Sequence, residues 1–169
     1  TIKPGAGGLG FGPRHLDFDP AGRFAYVSLE RENSLAVFGL KPDGTLTPEP
    51  LFLKNALTDP GGKAKHPGQG VGPIHVHPNG RFVYVTNRNQ GEIDVDGKKV
   101  FNGGENNVAV FAIDERSGEP KLIQTIDGHG IHLRTFGIDP SGRLLVATSI
   151  RPMPLRDGKT LTTGIMVYR

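Results

Sequence analysis

The chain has no cysteine, so neither a disulfide framework nor a thiolate metal site can be built from it. It also lacks any apolar run near the ~20 residues that a membrane-spanning helix requires, and no membrane is expected as a partner. Thr1 does not open a charged-then-apolar leader pattern, although such a segment can be removed from a mature chain. The compartment stays open, because a cysteine-free chain can work on either side of a membrane. Charge of one sign is not massed anywhere: the formal net charge is +3, with Lys and Arg scattered along the sequence. That distribution lacks the basic stripe of a nucleic-acid-binding surface, so no nucleic-acid partner is expected. A sustained helical period is missing as well.

What is plentiful is turn chemistry. The 169 residues include Gly 25 and Pro 14, and these fall between short apolar runs without forming a low-complexity tract. Many short elements joined by turns read as β structure. One phrase recurs three times: "DPAGRFAYVS" from Asp19, "HPNGRFVYVT" from His77 and "DPSGRLLVAT" from Asp139. The aligned prolines, Pro20, Pro78 and Pro140, stand roughly 60 residues apart, a spacing typical of propellers and solenoids. In each copy Pro fixes φ and Gly supplies a positive φ, which makes the triplet a turn between two strands.

Four antiparallel strands are expected in the first repeat: 15–18, 24–30, 34–40 and 46–54. The second repeat gives "IHV", "FVYVTN", "NNVAVFAI" and "KLIQTI". The third gives "LRTFGI", "LLVATSI" and "GIMVY", and the chain stops before a fourth strand. Tandem four-stranded meanders describe propeller blades, here bounded near 12–54, 72–126 and 132–169. A single sandwich or barrel of about eleven strands is the rival, and it does not explain the repeated turn chemistry. Because three blades cannot close a ring, further blades or another chain are expected to cover the open sheet faces.

The residues that differ between repeats collect at one end of the sheets. In a meander, the entry of strand one and the exit of strand two share an end, and the loops 55–71, 89–106 and 151–163 lie there too. Function tends to sit on such variable loops over a rigid scaffold. Ten positions beyond the aligned prolines stand Glu30, Arg88 and Ile150; six positions before them stand Arg14 and Arg134 in the outer copies. Glu30, Arg14 and Arg88 are the catalytic candidates, with Arg14 and Glu30 across one strand pair and Arg88 one blade away. Rim charges, solvated and paired, are the bland reading of the same residues.

His75 and His77 point the same way from one strand, but no carboxylate completes a ligand set, so no metal is expected. His66, His129 and His132 fall in loops or at loop edges and carry no signal of their own. "DVDG" (94–97) lacks the rest of a calcium loop and reads as a turn. "GAGGLGFG" (5–12) has neither the strand nor the helix of a dinucleotide site.

The phrases "GPRHLDFDPAGRFAYV", "PIHVHPNGRFVYVTNR", "NNVAVFAIDERSG" and "RTFGIDPSGRLLVATS" resemble the seven-bladed β-propeller lactonase family. That family is of the 6-phosphogluconolactonase and 3-carboxy-cis,cis-muconate lactonising enzyme (cyclase) type. The resemblance runs from about Gly12 to Val167. It implies an all-β, seven-bladed propeller of which this chain holds about three blades. It also implies a lactone opened or formed on a small anionic substrate, carboxylated or phosphorylated, without a cofactor. The arginine of "PRH" falls on Arg14, the glutamate at the end of strand two on Glu30, and the arginine of "NR" on Arg88.

A histidine of the family's site lies on a preceding blade and has no counterpart in this sequence. "SLERE" and "SIRP" also depart from the commoner patterns. Within this scheme the two arginines grip substrate charge or stabilise a developing oxyanion, and Glu30 is the general acid or base. His15, His75, Arg134 and Arg151 are the substrate-binding candidates around them. The resemblance favours the cytoplasm over a periplasmic or secreted location. A non-catalytic propeller that binds small ligands or proteins is the competing function.

Overall fold

The computed structural model describes residues 1–5 and 7–169. Three antiparallel sheets follow one another along the chain. The first holds β1 (Pro13–Phe18), β2 (Phe24–Leu29), β3 (Ser34–Gly39) and β4 (Phe52–Asn55), paired in chain order. A single helical turn, α1 (Gly62–Lys65), leads to β5 (Gly70–Val76) and β6 (Phe82–Arg88). A side hairpin of β7 (Glu92–Val95) and β8 (Lys98–Phe101) interrupts the second meander. It then resumes with β9 (Asn107–Ile113) and β10 (Pro120–Asp127) in the order β5-β6-β9-β10. The third sheet pairs β11 (Ile131–Ile138), β12 (Leu145–Arg151) and β15 (Gly164–Tyr168), with a two-residue-per-strand hairpin, β13 (Met153–Pro154) and β14 (Thr160–Leu161), between the last two. These are propeller blades, and β1, β5 and β11 are their adjoining innermost strands.

The recurring turns form as the phrase predicts. Gly22, Gly80 and Gly142 all adopt positive φ (67°, 72° and 73°). In the first turn Asp19 Oδ1 accepts from the backbone N–H groups of Arg23 and Phe24 at 2.5 and 2.8 Å. Asp139 does the same for Leu144 at 2.7 Å. His77, in the equivalent place, accepts from Asn79 N–H through Nδ1 and donates from Nε2 to the Gly142 carbonyl of the next blade at 3.0 Å. His77 therefore ties two turns together.

Two expectations are corrected. The fourth strand of the first blade spans only Phe52–Asn55, not 46–54, because Pro48 and Pro50 have no N–H to give a ladder. The stretch before it contributes one isolated bridge, Leu40 to Leu46. The long loops also carry structure of their own: α1 in 55–71, the β7–β8 hairpin in 89–106 and β13–β14 in 151–163. "DVDG" is the turn of the β7–β8 hairpin, with Asp96 and Gly97 both at positive φ, as a two-residue hairpin of this hand requires.

The cores are seams between blades. Tyr26, Leu35 and Val37 from the first blade interdigitate with Ile74, Val83, Val85 and Phe111 from the second, all buried. Val108 of the second blade meets Leu133, Phe136 and Ala147 of the third. The other face of the first blade, with Val27 and Phe38, is covered by Ile2 and Phe11 from the N-terminal segment. On β15 the alternate residues Ile165 and Val167 are 73% and 58% exposed.

Candidate functional site

The residues that lie at the entry of the inner strands and the exit of the second strands do meet. Arg14 is the second residue of β1, and the β1–β2 register shifts between Pro13 and His15, so Arg14 occupies a bulge. A bulge re-aims its side chain. Here it turns the guanidinium toward Glu30, which follows β2 as the first residue of a single 3-10 turn (Glu30–Glu32). Arg14 Nε lies 3.4 Å from Glu30 Oε2. Arg88, the last residue of β6, donates from Nη2 to the other oxygen, Oε1, of the same carboxylate. One carboxylate thus bridges two blades through two arginines.

Arg134 also sits at a bulge, between Leu133 and Thr135 on β11. The aligned position of the middle blade is Gly72, again within a register shift. A Cβ there would collide with Thr86 Oγ1 at 2.5 Å and lie in ordinary contact with Arg88 Cδ and Nε at 3.4 and 3.5 Å. The middle blade gives up its side chain where the outer two carry arginine, and Arg88 crosses the space left free. Gly70 plays a similar part beneath Glu30: a Cβ would stand 3.1 Å from the Glu30 carbonyl oxygen.

Glu30, Lys63, Arg88, His132, Arg134 and Ile150 are among the residues lining an open cleft of about 1040 Å³ at this end of the sheets. The Glu30 side chain is 41% exposed, so water reaches its carboxylate, whereas Arg88 is buried. Burial lowers the proton affinity of both Arg14 and Arg88; Arg134 adds to this at both and Arg14 at Arg88, while Glu30 opposes the shift. Arg14 Nη1 and Arg88 Nε are buried without a hydrogen-bond partner among the described residues. Arg134 is exposed, with no carboxylate within ion-pair reach among them. The cleft can accept an anion while keeping one carboxylate available to water.

The remaining candidates are placed differently. His15 adjoins Arg14, and its backbone N–H donates to Ser28 Oγ at 3.2 Å; burial, followed by Arg14, lowers its imidazole pKa. His75 packs edge-on against Phe136 and lies 3.4 Å from Asp17 Oδ2, joining the inner strands of three blades. Neither lines the cleft. Arg151 is drawn to the β7–β8 hairpin, where Nη2 donates to Glu92 Oε1 at 2.5 Å, and it too lies outside the lining. A second cleft, of about 840 Å³, runs along β9, β10 and the end of β4, but its Lys54 is already paired with Glu119.

His132 is the residue that the sequence reading set aside and the structure brings in. Its Nε2 lies 2.8 Å from Arg88 Nη1. Alignment of the repeats holds a signal for it. Eight positions before the prolines stand Gly12, Gly70 and His132, so the third copy puts a ring where the first two have glycine.

Comparison with known proteins identifies the family. The 6-phosphogluconolactonase of Bacillus subtilis is 31% identical over 149 residues, covering 88% of this chain and 36% of the relative. Among solved structures, a Lactobacillus plantarum protein matches with a TM-score of 0.68 at 26% identity, over 95% of this chain and 46% of the other. The periplasmic gluconolactonase of Pseudomonas aeruginosa matches with a TM-score of 0.61 at 26% identity, over 95% of this chain and 43% of the other. The chain thus spans about a third of the length of the curated relatives it matches. The model of the lactonase family with a seven-bladed β-propeller matches residues 7–151, most of the chain, and the chain belongs to that family.

Proposed function

We propose that the protein to which this chain belongs hydrolyses a small anionic lactone, a phosphorylated sugar lactone of the 6-phosphogluconolactone type. The observation that carries this reading is the Glu30 carboxylate held between Arg14 and Arg88 at the wall of a cleft that also presents Arg134. The named relative acts, by its name, on a lactone of that kind.

The chemistry follows from the groups present. Glu30 takes a proton from a water as the water oxygen attacks the lactone carbonyl carbon. Negative charge moves to the carbonyl oxygen, and a guanidinium N–H already desolvated at the site stabilises it more than an exposed donor would. The ring C–O bond then breaks, and the proton on Glu30 passes to the departing ring oxygen. One water is consumed and a hydroxy acid results, so no redox partner is needed. Arg134, exposed at the cleft, is placed to hold the phosphate or another anionic end through its planar fork.

The test is hydrolysis of 6-phosphogluconolactone by the full-length protein and its Glu30→Gln variant, with pH-stat detection of the acid formed. The amide keeps the shape and cannot take the proton. Turnover should fall by roughly 10²–10⁴-fold, with Tm close to that of the parent. Unchanged turnover would remove Glu30 from the chemistry. A parent protein inactive on phosphorylated and carboxylated lactones, yet binding either, would favour a binding platform.

A further inference from the structure

At one backbone position the third blade departs from the first two. Gly12 and His132 occupy equivalent places and share a left-handed conformation, with φ of 58° and 59°. Glycine enters that region freely; a histidine there is strained and persists only where its surroundings hold it. Asn106 does the holding. Its Oδ1 accepts from His132 N–H at 2.9 Å and from Asn89 N–H at 3.1 Å, and its Nδ2 donates to the Asn89 carbonyl at 3.0 Å. One side chain therefore fixes the backbone of His132 and that of the residue next to Arg88.

The His132 ring is buried, at 7% exposure, and faces Arg88. A guanidinium has donors only, so His132 Nε2 must accept and the ring proton must sit on Nδ1. Burial disfavours the imidazolium, as do Arg88, Arg134 and Arg14 around it, with only Glu30 opposing. Its pKa is pushed down to about 4, and the ring stays an acceptor at neutral pH.

We infer that His132 is a positioning residue for the Arg14–Glu30–Arg88 site, its Nε2 holding Arg88 Nη1 so that only Nη2 reaches Glu30. The alternative for Arg88 is a fork-to-fork pair with both carboxylate oxygens. That pair would displace Arg14 from Oε2 and confine the carboxylate to one arginine. By engaging one arm of the fork, the third blade keeps the carboxylate shared between the two arginines. This inference rests on the lactonase reading for its kinetic consequence, but not for the contact itself.

Two variants and one spectrum test it in the full-length protein. His132→Gly installs the residue of the other repeats and relieves the left-handed backbone, so Tm should equal or exceed that of the parent. With 6-phosphogluconolactone, kcat should nevertheless fall roughly ten- to hundredfold, as misplacement of a reacting group by about 1 Å does. KM should change by no more than about threefold. His132→Gln offers an amide oxygen to Arg88 and should restore a large part of kcat. In the substrate-free parent, long-range proton–nitrogen NMR at neutral pH should find the His132 proton on Nδ1. Parental kcat in His132→Gly, or a proton on Nε2, would overturn the inference. If the parent hydrolyses no lactone, the functional reading fails, while the tautomer still decides the His132–Arg88 contact.

Discussion

The two ends of these blades are built under different demands. At the turn end all three copies read alike, and every deviation is a substitution of one satisfied cap by another, as His77 replaces Asp19 and Asp139. At the loop end the copies diverge at each position that matters: Arg14, Gly72 and Arg134 at the bulge, and Gly12, Gly70 and His132 before it. At the turn end the side chains of Asp19, His77 and Asp139 all have hydrogen-bond partners. The loop end leaves Arg14 Nη1, Arg88 Nε and His132 Nδ1 buried and without partners among the described residues. Each such donor costs about 1–3 kcal/mol relative to a satisfied one. On the proposed function, these donors are the ones that a bound anion would complete.

The sharpest way to break this contrast is Gly72→Ala. The added methyl would collide with buried Thr86, so stability should fall by about 1–3 kcal/mol in a denaturant titration. Turnover should drop further than stability alone explains, because the backbone shift that relieves the Thr86 clash also moves β5 against Arg88. Normal activity in a folded Gly72→Ala protein would mean that the vacated position does not serve Arg88.

A second test reads the loop end through pH. The folded pKa of His132, about 4, lies below its ordinary 6.5. Between those values the unfolded chain binds a proton that the folded chain refuses, so this histidine subtracts stability progressively as pH falls from 6.5 to 4. Its share of the slope should approach about 1.4 kcal/mol per pH unit at its steepest and level off below pH 4. Urea midpoints measured across that window should show the slope in the parent and lose this share in His132→Gln. Identical slopes in the two proteins would separate His132 from the effect.

The smallest effect is expected at the turn end. Asp19→Ala removes the acceptor for two backbone N–H groups and should cost about 1 kcal/mol, since water can reach part of an edge turn. Turnover should be untouched. A loss of activity there would show that the two ends are coupled through the strands.

Most of the scaffold was legible in the sequence because it rests on local rules. Pro fixes φ, Gly takes a positive φ, and alternating apolar runs choose the buried face; each operates within a few residues. Arg14, Glu30 and Arg88 were legible because a meander fixes which strand ends share a side. The prolines at 48 and 50 were equally readable, and they shorten β4 as their missing N–H groups require. The rest depends on contacts across blades. The partnership of His132 with Arg88 spans 44 residues and needs a backbone conformation that no local pattern announces for histidine. Arg151 looked like a neighbour of the site, and a hairpin inserted sixty residues earlier drew it away.

The proposed site is distributed over three consecutive repeats: Arg14 and Glu30 come from the first, Arg88 from the second and His132 from the third. Such a site is directional. Duplicating a single blade could have supplied the scaffold, but it could not have supplied the site, which needs neighbours that differ in a set order. Rearranging the blades by gene shuffling, with every seam kept apolar, would preserve a foldable array and scatter the four side chains around its circumference. Blade order would therefore matter to such a site even where it is neutral for folding.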